Sequence, residues 1–380
     1  MQLPPHIQNL PPYTPIEPFE VLSQKVGRSP EDIIKLDANE NPYGMSPRAR
    51  EALANLAYGH IYPDPESRAL RAVLSRFTGA PAENLVVGAG ADELIDLTMR
   101  VTLNPGDTVL NCPPTFGMYA FDADLNNAKV VNVPRKSDFS VDVDGIVDAA
   151  EKFSPKLIFL TSPNNPDGSL IPQPVLQKLL ALPALIVLDE AYIEFANPDN
   201  SSIRYSIFEQ SNTRISNIES RITDVPGLDN LIVLRTFSKL AGLAGLRVGY
   251  GAFPTWLMPT LWKAKQPYNV NVAASAAAVA ALNDPDYLAW TVKTLVAERN
   301  RLAEALSTFH FLTVYPSSAN FLLCRVAPEI DAAQLKADLA QKHGIFIRYF
   351  NKPGLTDCIR ISVGKPEQTD TLLNALKRMG

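Results

Sequence analysis

Reactive and ligand-binding side chains recur in this sequence directly after short apolar runs. The run 231–234 leads into Arg235-Thr236-Phe237-Ser238-Lys239. A lysine amine in a semi-buried place can lose its proton and attack a carbonyl. The hydroxyls of Thr236 and Ser238, with Arg247 eight residues beyond the lysine, could hold a phosphate. The run 185–188 leads into Asp189-Glu190-Ala191-Tyr192. An acid at the end of so apolar a strand needs a partner, and a cationic ring nitrogen would serve, with the Tyr192 phenol nearby. The run 156–160 leads into Thr161-Ser162-Pro163-Asn164-Asn165-Pro166, where Asn165 offers an amide to a ligand oxygen. The run 85–87 leads into Gly88-Ala89-Gly90-Ala91-Asp92-Glu93. Small residues between strand and helix let backbone N–H groups approach an anion at the helix N-terminus.

Each feature has an ordinary reading when taken alone: a surface cation at Lys239, a helix cap at Asp189, a proline-asparagine turn at 163–166, a tight βα turn at 88–93. No GK[ST] follows the glycines, and their spacing is not GxGxxG, so the turn is not a nucleotide loop. Taken together they supply an amine, a carboxylate, an amide, a phenol, two hydroxyls and an arginine. Pyridoxal phosphate uses all of them: a lysine for its carbonyl carbon, a carboxylate for its ring nitrogen, and a phosphate cup.

These groups meet only if the runs are neighbouring strands of one sheet, because ligands of open parallel sheets sit beyond the strands' carboxyl ends. The pattern predicts that sheet. Helices are expected over 47–58, 66–79, 91–103, 115–124, 141–153 and 174–182. Strands are expected over 84–87, 108–112, 128–133, 156–161, 184–188, 231–234 and 247–253. Apolar strands alternating with helices imply βαβ units and a sheet buried on both faces. A long charged helix is expected over 285–309. Strands at 319–326, 344–348 and 358–363 and helices at 332–342 and 367–379 then suggest a small α+β unit.

The predicted class is therefore α/β: a large, mostly parallel α/β/α domain over 47–284 and a small α+β domain over 285–380. The proline-rich arm 1–46 is expected to pack with the small domain. The Asn- and Ser-rich stretch 197–229 breaks the rhythm and reads as a surface insertion.

Composition narrows the function. The chain has 380 residues, 46% of them hydrophobic, enough for two domains, and a net charge of −5. No dense basic run exists, which argues against nucleic acid as a partner. Three widely spaced cysteines and four histidines form no zinc-ligand pattern. No signal peptide and no apolar run near 20 residues is evident. A reducing, cytoplasmic location and no membrane partner are expected.

The chain resembles the fold-type I aminotransferases, and among them the histidinol-phosphate aminotransferase family. The resemblance covers nearly the whole chain. It rests on Lys35-Leu36-Asp37-Ala38-Asn39-Glu40-Asn41-Pro42-Tyr43-Gly44, Tyr62-Pro63-Asp64-Pro65, Pro163-Asn164-Asn165-Pro166, Asp189-Glu190-Ala191-Tyr192, the lysine segment 235–249 and Arg360-Ile361-Ser362-Val363-Gly364. The stretches 242–251 and 264–270 look most like plant and photosynthetic-bacterial members. Two departures stand out: the lengthened link at 197–229, and a phosphate turn lacking the side-chain hydroxyls common in relatives.

The resemblance implies a pyridoxal 5'-phosphate enzyme that moves an amino group between glutamate and histidinol phosphate. Lys239 would carry the cofactor, Asp189 would face its ring nitrogen, and Asn165 and Tyr192 its ring oxygen. Phe116 would stack on the ring. Gly90, Ala91, Asp92, Thr236, Ser238 and Arg247 would hold its phosphate, joined by Tyr62 from the other subunit of a homodimer. Arg360 would bind the glutamate α-carboxylate and Arg348 the distal anion, with Asn41 and Asn165 also on the substrate side. The rival activities within this fold are an aromatic aminotransferase and a threonine-phosphate decarboxylase.

Overall fold

The computed structural model describes residues 2–10, 16–196 and 228–378. All but the last two residues of the expected insertion lie outside them. The strands, in chain order, are β1 (Ile34–Leu36), β2 (Leu85–Gly88), β3 (Thr108–Asn111), β4 (Lys129–Asn132), β5 (Leu157–Thr161), β6 (Leu185–Asp189), β7 (Leu231–Thr236), β8 (Gly249–Ala252), β9 (Leu312–Val314), β10 (Phe321–Val326), β11 (Ile345–Tyr349) and β12 (Cys358–Ser362).

The large sheet has the order β2-β8-β7-β6-β5-β3-β4. Only β8 runs against its neighbours, β2 and β7; the pairs β7-β6, β6-β5, β5-β3 and β3-β4 are parallel. The carboxyl ends of β2, β5, β6 and β7 therefore share one edge. The central strands are apolar on both faces because helices cover both: every residue of β5, β6 and β7 is buried. Ile186, Val187 and Leu188 are at most 1% exposed. Burying each such side chain contributes about 2 kcal/mol, and this wedges β6 so that Asp189 ends it in a dry place.

The expected elements form, with boundaries moved by local chemistry. The helix expected over 115–124 spans Met118–Leu125, starting only after the turn that Pro113 and Pro114 begin. The strand expected from 247 starts at Gly249, because Arg247 takes a left-handed φ of 53°. Two helices carry no amphipathic signal. Met258–Ala264 is short, and Val272–Leu282 is apolar all round, with Asn271 capping it through the Ala274 N–H. Ala274, Ala277, Ala278 and Ala281 are fully buried, so this helix is a spacer through the core and not a surface helix.

The second sheet runs β1-β11-β12-β10-β9. Its edge strand β1 comes from the N-terminal segment and pairs in parallel with β11, Lys35 opposite Phe346. The segment right after β1 thus passes the edge of the large sheet that carries the expected chemistry.

Candidate functional site

Lys239 sits in the turn after β7 and is partly exposed. Its Nζ donates to the Ala38 carbonyl at 3.0 Å and lies 5.7 Å from the Tyr192 ring centre. Burial first, and then the Arg360 guanidinium, push its pKa down from 10.5 to about 8. The amine is thus much readier than an ordinary lysine to be a neutral nucleophile or base.

Asp189 is 5% exposed. Its Oδ2 accepts from the Tyr119 hydroxyl at 2.6 Å and its Oδ1 from the Ala191 N–H at 2.9 Å. Burial pushes its pKa up to about 6, and the Tyr119 and Ala191 bonds pull against that rise. Such a carboxylate is a strong acceptor for a buried cation.

Segment 37–41 straps these groups together, which gives the sequence motif its physical meaning. The Asp37 carbonyl accepts from Arg360 Nη2 at 2.6 Å, and the Ala38 carbonyl from Lys239. Asn39 Nδ2 donates to the Tyr192 hydroxyl at 3.1 Å, while its backbone N–H and its Oδ1 both bond Ser362 on β12. Asn41 Nδ2 donates to the Leu240 carbonyl at 3.0 Å, and its Oδ1 accepts the Tyr43 N–H. Asn41 is therefore committed to the backbone and fixes the turn next to Lys239. Gly242, at φ 67°, lets that turn lie against the Gly44 carbonyl, where a Cβ would collide.

Arg360 on β12 reaches across to Asn165, donating through Nη1 to its Oδ1 at 2.5 Å. Arg348 stands directly opposite Arg360 in the β11-β12 ladder. Both guanidinium carbons lie near the Phe350 ring, at 5.8 and 5.6 Å. Two like charges side by side invite an anion between them.

The anion cup lies at the start of the helix Ala91–Thr102. Gly90, at φ 85°, is packed so that a Cβ would lie 2.5 Å from Arg247 Nη2, and a Cβ on Gly249 would lie 2.5 Å from the Ala91 nitrogen. The Thr236 hydroxyl donates to Ser238 Oγ at 2.9 Å and accepts the Ser238 N–H. Arg247 pairs with Asp92 at 2.9 Å and is about half exposed. Glycine backbone, helix N-terminus, two hydroxyls and an arginine form a phosphate-sized cradle. The donor set and the buried acid fit pyridoxal phosphate: an amine, an anion cup, and an anion for the ring cation.

Phe116 packs edge-on to Tyr119, with ring centres 5.6 Å apart. Tyr62 is not gathered into this chain's site. It is 79% exposed and stacks on Tyr268 at 4.8 Å.

Residues 31–376 match the family model described as aminotransferase class I and II. The chain belongs to the class I and II aminotransferases. It is 54% identical to the chloroplastic histidinol-phosphate aminotransferase of Nicotiana tabacum, over 98% of this chain and 85% of that one. It is 52% identical to the histidinol-phosphate aminotransferase of Roseiflexus castenholzii, over 99% and 97%. The solved histidinol-phosphate aminotransferase of Sinorhizobium meliloti, in complex with pyridoxal-5'-phosphate, superposes with a TM-score of 0.86 at 29% identity, covering 100% of this chain and 98% of that one.

Sequence reasoning about this aminotransferase missed several polar residues of the site. Asn39 sits inside the quoted motif, yet nothing in its type tells that it meets Tyr192. Tyr119 lies one helical turn after Phe116, a spacing that could have flagged it. Arg235, fully buried on β7, is paired through Nε and Nη2 with Glu190 at 2.9 and 2.5 Å. Arg235 and Glu190 stand in the sequence motifs with no role of their own; in the fold they fasten the lysine strand to the Asp189 turn.

Proposed function

We propose that this chain is a pyridoxal-phosphate-dependent transaminase that exchanges an amino group between glutamate or 2-oxoglutarate and histidinol phosphate or imidazole-acetol phosphate, a step of histidine biosynthesis. The observation that carries it is the convergence of Lys239, Asp189 and the arginine pair Arg348/Arg360, in a chain alike over nearly its full length to enzymes bearing that name.

When bound, the cofactor supplies a carbonyl that takes the amino group and a cationic ring that receives the electron pair left at Cα. The chain's residues do the rest. Lys239 Nζ would take the Cα proton of the substrate and hand it to the cofactor carbon that receives the amino group; a pKa of about 8 suits both the taking and the giving near neutral pH. Asp189 stays ionised beside the ring nitrogen and so keeps that nitrogen protonated. Thr236, Ser238, Arg247 and the Ala91 N–H anchor the phosphate. Asn165 and Tyr192 hold the ring oxygen, and Phe116 covers a ring face. Arg360 receives the glutamate α-carboxylate. Arg348 meets the γ-carboxylate of glutamate and the phosphate of histidinol phosphate in turn, since a planar guanidinium pairs bidentately with either.

The working unit in this proposal is a homodimer. Tyr58, Ile61, Tyr62 and Tyr268 are all exposed, a patch suited to burial against a second copy, from which Tyr62 would reach the partner's phosphate cup. The compartment we favour is the cytoplasm; all three cysteines are unpaired and buried, as a reducing environment allows.

The test is a visible spectrum of purified protein before and after histidinol phosphate. A yellow band that bleaches establishes cofactor, lysine and substrate together. A band that bleaches with phenylalanine but not with histidinol phosphate would move the function to aromatic donors.

A further inference from the structure

The Tyr119 hydroxyl touches Asp189 Oδ2 at 2.6 Å and Thr161 Oγ1 at 3.0 Å. Thr161 Oγ1 also lies 3.2 Å from Thr115 Oγ1, which lies 2.8 Å from Asn164 Oδ1. Counting protons orders this chain of groups. An ionised Asp189 can only accept, so the Tyr119 proton points to it. The Asn164 Oδ1 can only accept, so the Thr115 proton goes there. Thr161 has one proton left to give, and two oxygens, Tyr119 and Thr115, within reach. The shorter contact is to Tyr119. A hydroxyl that accepts a hydrogen bond is a stronger donor in its own.

Tyr119 is held for this job. Its ring stacks on Phe159 with centres 4.9 Å apart, and Phe116 meets it edge-on. It is fully buried, so no water competes for its hydroxyl. Thr161 closes β5 directly opposite Asp189 at the end of β6, so the sheet register itself sets the distance. The charges acting on Asp189 from the packed elements are Asp92 and Glu190, both acidic and paired with Arg247 and Arg235; the Tyr192 phenol is a further titratable neighbour, and the Tyr119 and Ala191 donors oppose the acids.

We propose that Tyr119, supported by Thr161, is a positioning residue that keeps Asp189 ionised and aimed, and so sets the lower pH limit for holding the cofactor's ring nitrogen. This rests on Asp189 being the ring-nitrogen partner, as proposed above. Without the phenol, protonation of Asp189 would reach into the neutral range. The carboxyl would then be a neutral group that no longer favours a ring cation.

The experiment is titration of the cofactor-free protein with pyridoxamine phosphate, which has no carbonyl for Lys239 to attack and so leaves the lysine's own titration out of the bond, read by quenching of tryptophan fluorescence at half-unit steps from pH 5.5 to 9. Affinity should fall on the acid side around a midpoint set by Asp189. In Tyr119→Phe that midpoint should rise by about one to two pH units, the worth of one hydrogen bond to a buried charge. Thr161→Val should move it the same way by less, and Thr161→Ser should restore it. A purely packing role would weaken affinity equally at every pH and leave the midpoint alone; that result overturns the proposal. If Tyr119→Phe fails to fold, an unshifted midpoint in Thr161→Val overturns it equally. Asp189→Asn separates the two layers. If it leaves the acid limb in place, Asp189 is not the ring partner; if it abolishes the limb while Tyr119→Phe does not shift it, only the Tyr119 role fails.

Discussion

The acidity of Lys239 can be tested without the cofactor. Burial and the nearby Arg360 cation bring its pKa from 10.5 to about 8. At pH 7 an ordinary lysine is neutral in about 0.03% of molecules, whereas one with a pKa near 8 is neutral in about 10%, a difference of about 300-fold. The assay is trace acetylation of the cofactor-free protein by acetic anhydride from pH 6 to 10.5, with the Lys239 peptide quantified by mass spectrometry against free Nα-acetyl-lysine in the same tube. Acetylation requires the neutral amine, so the Lys239 curve should climb through pH 8 and flatten above about 9 while the standard keeps climbing. Replacing Arg360 by Gln removes the second cause of the shift and should move the midpoint upward. A Lys239 curve that parallels the standard to pH 10 would refute the reasoning, and with it the poised amine. A wild-type midpoint near 8 that ignores Arg360→Gln would leave burial, with the Lys35 cation behind it, as the cause.

Other outcomes follow from the same geometry. Asp122 is buried, its Oδ2 lacks a hydrogen-bond partner, and burial with Asp96 and Asp92 nearby raises its pKa from 3.8 to about 7. Its contribution to stability is therefore full below about pH 4 and lost as pH rises through 7. A shift of about three units at about 1.4 kcal/mol each caps that loss near 4 kcal/mol. Asp122→Asn should stabilise the protein in denaturant melts at pH 8 and hardly at pH 4; equal effects at both would disprove it. Arg348→Ala should lower kcat/KM about 10- to 100-fold in both half-reactions, and unchanged kinetics with histidinol phosphate would remove Arg348 from the anion site. Gly242→Ala combines a left-handed φ with a Cβ against the Gly44 carbonyl. It should cost about 1–3 kcal/mol or more, seen as a lower melting temperature together with weaker cofactor binding.

What the sequence determined by itself was the set of strand ends. Strands β2, β5, β6 and β7 are written as apolar runs because both faces are buried. Three of these runs stop at a polar residue, Thr161, Asp189 and Arg235, and the β2 run stops at the small-residue turn Gly88–Ala91, because that edge faces a ligand. From this the α/β class, the sheet and the identities of Lys239, Asp189, Asn165 and the 88–93 turn could be read locally. Element edges slipped where a proline or a left-handed residue decided them, as at the helix start Met118 and the strand start Gly249. The Val272–Leu282 helix stayed silent because a helix buried all round has no polar face to give it a period.

Only the tertiary structure decided which side chains meet. That Asn41 holds the Leu240 carbonyl, that Asn39 ties Tyr192 to Ser362, and that Ala38 receives the Lys239 amine all join residues about 150 to 320 positions apart. Arg348 and Arg360 face each other only because β11 and β12 pair in one register. Tyr119 governs Asp189 only because β5 and β6 lie side by side with Thr161 opposite Asp189. Side-chain type is a local property, but a shifted pKa or a shared anion site belongs to the distances between strands, and those are fixed by the packing of the whole sheet.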